Sequence, residues 1–275
     1  MPALDPTPHP MLACPLCREP MAVLERELVC GSNHHFDRAK EGFVNLLRPG
    51  RSRKQVIGDD ADMVAARRRF LDRDHYRCLT EGLAALVADV DPTGRLLDVG
   101  CGEGTFTAAM APVGTRPAVA MDISRPAVRM SARRAPGALC AVASVIDIPV
   151  TDGSVDLLAS VMSPIHEAEF NRVVHPGSRA VIVRPGASHL NQLRHLVYGH
   201  GVDHDEAFEV PGGWRLVEKR RFIDEVELTS NDEVMEVWGM TPYRWNSPRE
   251  GGERVAATQE LAISVHFVAS VWEVG

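Results

Sequence analysis

Three glycines at alternate positions, Gly100, Gly102 and Gly104, follow the apolar run LLDV and precede a helix-compatible stretch starting at Thr105. Such a segment turns sharply from strand into helix, and glycine there lets backbone N–H groups approach a ligand with no Cβ in the way. A dinucleotide fingerprint would need glycine at position 105, so Thr105 disfavours NAD. Asp98 ends the first strand. Asp122 ends the second, PAVAMD, 22 residues after Gly100. In doubly wound sheets a carboxylate at that place accepts hydrogen bonds from both ribose hydroxyls of a nucleotide.

The loop DVGCGEG and the acidic end of the second strand resemble motif I of the class I S-adenosylmethionine-dependent methyltransferases. Further strands are readable at 139–143, 154–162, 179–185, 222–229 and 260–272. Five strands alternating with helices, then an antiparallel pair, give the fold that this resemblance implies. It is an α/β, Rossmann-like domain with a seven-stranded, mostly parallel sheet and helices on both faces. Asp98, Gly100, Gly102, Gly104 and Asp122 are the candidate cofactor residues.

The amino-terminal region carries a second signal. Three of only six cysteines, Cys14, Cys17 and Cys30, fall within the first 30 residues, so a disulfide scaffold is disfavoured. C-x2-C, twelve residues, then Cys30 with His34 close behind is zinc spacing, with MAVLEREL supplying one strand of the intervening hairpin. Four protein ligands leave no open position, which makes the zinc structural. Spacing alone allows His35 in place of His34. Cys78, Cys101 and Cys140 read as small buried side chains.

Taken together, the zinc spacing, AKEGFVNLL (39–47), MVAARRRFLDRDHY (63–76), DVGCGEG (98–104), RVVHPGSRAVIVRPGASHL (172–190) and GMTPYRW (239–245) resemble the bacterial 23S rRNA guanine-N1 methyltransferases, zinc-containing enzymes that include a macrolide-resistance branch. The frame to Phe36 and Asp37 then selects His34. The resemblance implies cofactor contacts from Tyr76, Gly102, Glu103 and His189. It also divides the chain into a zinc-binding RNA-recognition module (1–47), a basic linker and helix (48–75) and a methyltransferase domain (76–275). Ser163-Pro164 and the His175 and Ser178 positions depart from the family pattern.

The net charge of −7 hides an asymmetry. Residues 38–77 hold eleven Lys/Arg against six Asp/Glu, +5, which leaves −12 elsewhere. RPGRSRK (48–54) and RRR (67–69) are therefore candidate phosphate contacts on 23S rRNA. No apolar run is long enough for a membrane span and no signal-peptide order is present, so a cytoplasmic protein is expected, with a homodimer allowed. The implied reaction moves a methyl group from S-adenosylmethionine to N1 of a guanine in a domain II hairpin near the peptide exit tunnel, with tylosin-type resistance as its outcome. Trp245 or Tyr243 could stack on the extruded base. His166 and Glu167 lie close after the fourth strand, but neither takes priority and no catalytic base is assigned. The alternatives are a small-molecule methyltransferase of an antibiotic pathway and a non-catalytic RNA-binding assembly factor.

Overall fold

A computed structural model describes residues 7–48, 58–112, 114–199 and 210–275. Four short antiparallel strands come first: β1 (Pro8–Ala13), β2 (Pro20–Val23), β3 (Glu27–Cys30) and β4 (His35–Asp37). MAVLEREL, expected to supply one strand, contributes to two. A tight turn, closed by Leu24 N–H donating to the Glu27 carbonyl at 2.8 Å, separates β2 from β3. After β5 (Val44–Asn45), α1 (Ala61–Asp72) starts at Asp60, whose side chain accepts from Met63 N–H at 2.8 Å. Of the MVAARRRFLDRDHY stretch the helix takes in only the part up to Asp72, and the left-handed φ of +60° at Asp74 follows. His75 and Tyr76 therefore lie in the turn before α2 (Arg77–Val90).

The large sheet is built from β6 (Leu96–Val99), β7 (Ala118–Asp122), β8 (Leu139–Val142), β9 (Val155–Val161), β10 (Val174–Pro185), β11 (Trp214–Leu228) and β12 (Leu261–Val274). Between them run α3 (Thr105–Met110), α4 (Arg125–Arg134), α5 (Glu167–Val173), α6 (Asn191–Tyr198), α7 (Asn231–Gly239), α8 (Tyr243–Asn246) and α9 (Arg249–Ala257). The order is β11-β12-β10-β9-β6-β7-β8-β5. The seven expected strands are all present. β12 runs antiparallel between β10 and β11, while β5 to β10 pair in parallel. The eighth strand was not expected: β5, from the AKEGFVNLL stretch, pairs in parallel with β8 at the sheet edge.

Successive residues of the central strands feed opposite cores, as the period of two requires. Leu96, Leu157 and Val181 pack with Phe70, Leu79 and Leu83 of the helices on one face. Their neighbours Leu97, Leu158 and Ile182 pack on the other face with Phe170 of α5 and with Met11, Leu12, Cys14, Met21 and Leu28. The small four-stranded module thus forms a layer of the main fold and shares its core. Ala13 N–H donates to the Pro149 carbonyl at 3.0 Å, Thr151 N–H donates to the Met11 carbonyl at 2.8 Å, and Arg18 pairs with Asp147 across the seam. Among the described residues no helix is long and apolar enough to cross a membrane.

Candidate functional site

The strand order reverses between β6 and β9, the place where open α/β sheets bind ligands beyond the strand carboxyl ends. All three glycines of the loop after β6 have positive φ: +78° at Gly100, +55° at Gly102 and +94° at Gly104. The N–H groups of Gly100 and Cys101 both donate to the Met121 carbonyl, at 2.8 and 3.0 Å. Gly102 N–H donates to Asp122 Oδ2 at 3.0 Å, and Ser124 N–H donates to Asp122 Oδ1 at 2.8 Å. Asp122 therefore latches the loop to the end of β7. Each carboxylate oxygen has two lone pairs, so acceptance from these amides leaves capacity for hydroxyl donors.

Asp98 is 1% exposed. Its Oδ2 accepts from Thr107 Oγ1, whereas Oδ1 has no hydrogen-bond partner among the described residues. Burial pushes this carboxyl up to about 7. A buried carboxylate oxygen left unmatched marks a place where the protein itself supplies no donor, and a cationic ligand would stabilise the ionised form.

Tyr76 and His189, 113 residues apart in the chain, meet in the buried core with Tyr76 Oη 3.2 Å from His189 Nε2. His266 N–H donates to His189 Nδ1 at 3.2 Å, so in the neutral ring Nε2 carries the proton and donates to the Tyr76 hydroxyl. The tyrosine proton is then left for a third group. Glu103 sits differently from what a free loop carboxylate would do. Its Oε1 accepts from Thr105 N–H at 3.2 Å and lies 3.4 Å from Arg134 Nη1, so a ligand ammonium there would share the carboxylate with a guanidinium.

Four features of this region have no signal in the sequence. Arg67, counted above among the basic residues, ion-pairs with Asp59 and donates to the Met240 carbonyl at 3.1 Å. Its Nη1 also lies 3.8 Å from where a Cβ on Gly102 would sit. One turn earlier, Met63 receives the Trp245 indole N–H at 3.2 Å on Sδ, so α1 ties GMTPYRW to the glycine loop. Met162, just past β9, has a φ of +52°, uncommon for a side chain of this size and a mark of local strain. Ser163 turns its hydroxyl inward, donating to the Val99 carbonyl at 2.6 Å, and fills the space a side chain at Gly100 would need.

Trp245 and Tyr243 part company: the tryptophan is 61% exposed, and the tyrosine packs edge-on against Tyr198 at 5.9 Å. His166 caps α5 by accepting from Glu169 N–H at 3.4 Å, while Glu167 accepts from Gly212 N–H at 3.0 Å. Both side chains thus have structural roles. In the RRR run, Arg68 pairs with Asp72 at 3.3 Å and Arg69 with Glu236 at 3.0 Å. Of the RPGRSRK segment, residues 49–54 lie outside the described residues.

At the other end of the chain, Cys14, Cys17, Cys30 and His34 converge, with all four ligand atoms within 4.8 Å of one another. Cys17 and Cys30 sulfurs are 3.6 Å apart, and His34 Nδ1 is 3.5 Å from the Cys14 sulfur and 3.4 Å from that of Cys30. A tetrahedral zinc with bonds of about 2.3 Å to sulfur and about 2.0 Å to nitrogen sets ligand separations of this size. His35 faces away, bonded to Glu27 at 2.8 Å and to Asn33 at 3.0 Å. Two loops hold the donors, each turning through a left-handed residue, Arg18 (φ +65°) and Asn33 (φ +60°). Burial raises the Cys14 thiol, whereas a hydrogen bond from the Glu19 backbone lowers that of Cys17.

Comparison with known proteins accounts for both halves. Residues 12–53 match the zinc-ribbon family described as RlmA, N-terminal, and residues 97–182 match a methyltransferase domain. The chain is 34% identical to the Streptomyces fradiae protein named 23S rRNA (guanine(748)-N(1))-methyltransferase, over 93% of this chain and 95% of that protein. A Micromonospora griseorubida protein, named provisionally for 23S rRNA guanine-N1 methylation, is 32% identical over 94% of this chain and 95% of its own length. Among solved structures, the YcgJ protein of Bacillus subtilis is similar with a TM-score of 0.46 and 13% identity, covering 73% of this chain and 99% of that one.

Proposed function

We infer the reaction from one premise: the chain belongs to the 23S rRNA (guanine-N1)-methyltransferase family. It transfers a methyl group to N1 of a guanine in 23S rRNA, with S-adenosylmethionine as donor and a zinc ion held in the amino-terminal ribbon. The observation that supports the chemistry most directly is the glycine loop latched by Asp122 beside the unmatched Asp98 oxygen. When bound, the donor supplies a methyl already activated on a sulfonium.

The residues present suit that group. Asp122 would take the ribose hydroxyls while keeping the loop in place. The positive φ at Gly102, with Arg67 the only described residue within 4 Å of a would-be Cβ, leaves backbone open toward the ligand. Asp98 would favour the positive charge of the donor, and its ionised form would in turn be favoured by it. Tyr76, held through His189, would direct its hydroxyl proton to the same pocket. Guanine N1 bears a proton in the neutral base, so that proton leaves before or during in-line attack, and near-attack positioning supplies much of the rate. The target base must also leave its stack, and the exposed face of Trp245 is the surface offered to it.

The finer reading is the domain II guanine beside the exit tunnel that the sequence resemblance implies, with macrolide resistance as the outcome; the Streptomyces fradiae relative's name gives its modified position as guanine 748. The rRNA substrate makes the enzyme cytoplasmic, and a homodimer is compatible with it. The test is methylation of protein-free 23S rRNA with labelled donor, then nucleoside analysis and primer extension. N1-methylguanosine at one position is the expected product, and its absence overturns the assignment. Asp122→Ala removes both the latch and the ribose acceptor. Donor affinity is expected to fall by about 1–3 kcal/mol, and an unchanged dissociation constant by calorimetry would remove Asp122 from that role.

A further inference from the structure

A concavity of about 880 Å³ opens where α1, α4 and the segment from Ala39 to Phe43 meet, and five arginines line it: Arg68, Arg125, Arg129, Arg133 and Arg134. Arg125, Arg129 and Arg133 recur every four residues on α4, so they form a row along one helix face, rising about 6 Å per step. Like charges at this spacing destabilise a helix, and Arg125 at the first helical position also opposes the helix dipole. Among the described residues the row's charge is met by few carboxylates. Glu41 is shared by Arg129 (2.8 Å) and Arg133 (3.3 Å), and Asp72 is shared by Arg68 (3.3 Å) and Arg134. Arg125 lies over the Phe43 ring at 5.9 Å.

We propose that this concavity is where the protein grips the phosphate backbone of its RNA, with the arginine row on the phosphates. This rests on the rRNA reading above. Guanidinium forks match phosphate oxygens two at a time. The location couples the grip to both halves of the molecule. Residues 39–43 follow directly on the metal-binding ribbon, and Arg134 reaches Glu103 in the glycine loop and Thr105 just after it. Glu41 then acts as an internal stand-in for a phosphate, holding two arginines until RNA displaces it.

The test is equilibrium binding of the full-length protein to protein-free 23S rRNA over a series of KCl concentrations, with S-adenosylmethionine affinity measured in parallel. For the double variant Arg129→Gln, Arg133→Gln, rRNA binding is expected to weaken at least tenfold. The slope of log K against log salt should become shallower by about 1.4–1.8, the loss of two phosphate contacts. Glu41→Gln is expected to do the reverse and tighten binding severalfold, an outcome that a merely structural glutamate would not give. An unchanged slope in the double variant with intact cofactor affinity overturns the proposal. Should the double variant lose cofactor binding through misfolding, failure of Glu41→Gln to tighten rRNA binding overturns it instead. If the unmutated protein methylates rRNA while these results fail, only the docking site is wrong; if it neither binds nor methylates rRNA, the functional assignment falls with it.

Discussion

A Gly104→Ala variant is expected to lose measurable S-adenosylmethionine binding, although it adds a single methyl group. Gly104 has a φ of +94°, and an ideal Cβ there would lie 2.7 Å from the Cα of Ser131. That neighbour is backbone of α4, fully buried, so no rotamer change relieves the clash. Holding a non-glycine residue in this conformation costs about 1–3 kcal/mol, and overpacking a tight core adds about 1–3 kcal/mol more. The loop can escape only by moving, and moving breaks the latch from Gly102 to Asp122. Gly177→Ala is the internal control. Its φ is +87°, and no described residue lies within 4 Å of a new Cβ. Calorimetry should show affinity lost by roughly a hundredfold or more for Gly104→Ala, the equivalent of about 3 kcal/mol, and little loss for Gly177→Ala. Equal affinities in the two variants would show that the close approach to Ser131 does not hold the loop.

Cys14→Ala should have the largest effect on stability. Metal analysis is expected to show zinc falling well below one equivalent, because losing a thiolate leaves three protein donors and a corner that water must fill. Zinc contributes about 10–16 kcal/mol of apparent binding free energy in small finger peptides, more than most whole domains have in reserve. The module is also a layer of the main fold: Cys14, Met21 and Leu28 share a core with Leu97, Val119 and Ile182. Unfolding should therefore shift to lower temperature as one transition. Two separated transitions, with the later one unmoved, would show that the ribbon melts alone and would sink the shared-core account.

Much of this could be read from residues whose roles are set locally. Glycines at alternate positions after a strand force the loop, and a C-x2-C pair with a second pair after a short hairpin forces the ribbon, whatever surrounds them. The central strands were legible because both their faces are buried, which leaves uninterrupted apolar runs. β11 reads as a strand only from residue 222, whereas it begins at Trp214, because the segment Arg215–Arg221 is rich in charge and largely exposed, with no alternation to betray a strand. β5 escaped because two residues carry no period at all. The inward turn of Ser163, the strain at Met162 and the placing of Arg67 beside Gly102 arise from contacts between segments distant in sequence. The choice between His34 and His35 had to come from resemblance, since spacing permitted both; in the structure it follows from Glu27 and Asn33 engaging His35.

The short strand β5 also bears on what a shortened chain would expose. Val44 and Asn45 pair with Ala141 and Val142, and Leu46 N–H donates to the Val142 carbonyl at 2.9 Å. β8 would otherwise be the outermost parallel strand, four apolar residues with one side open to any passing chain. Unprotected edges of this kind template association between molecules. The segment that leads away from the metal ribbon is thus a stopper on the sheet, and a catalytic domain cut free of it would carry a sticky border that the whole protein keeps sealed.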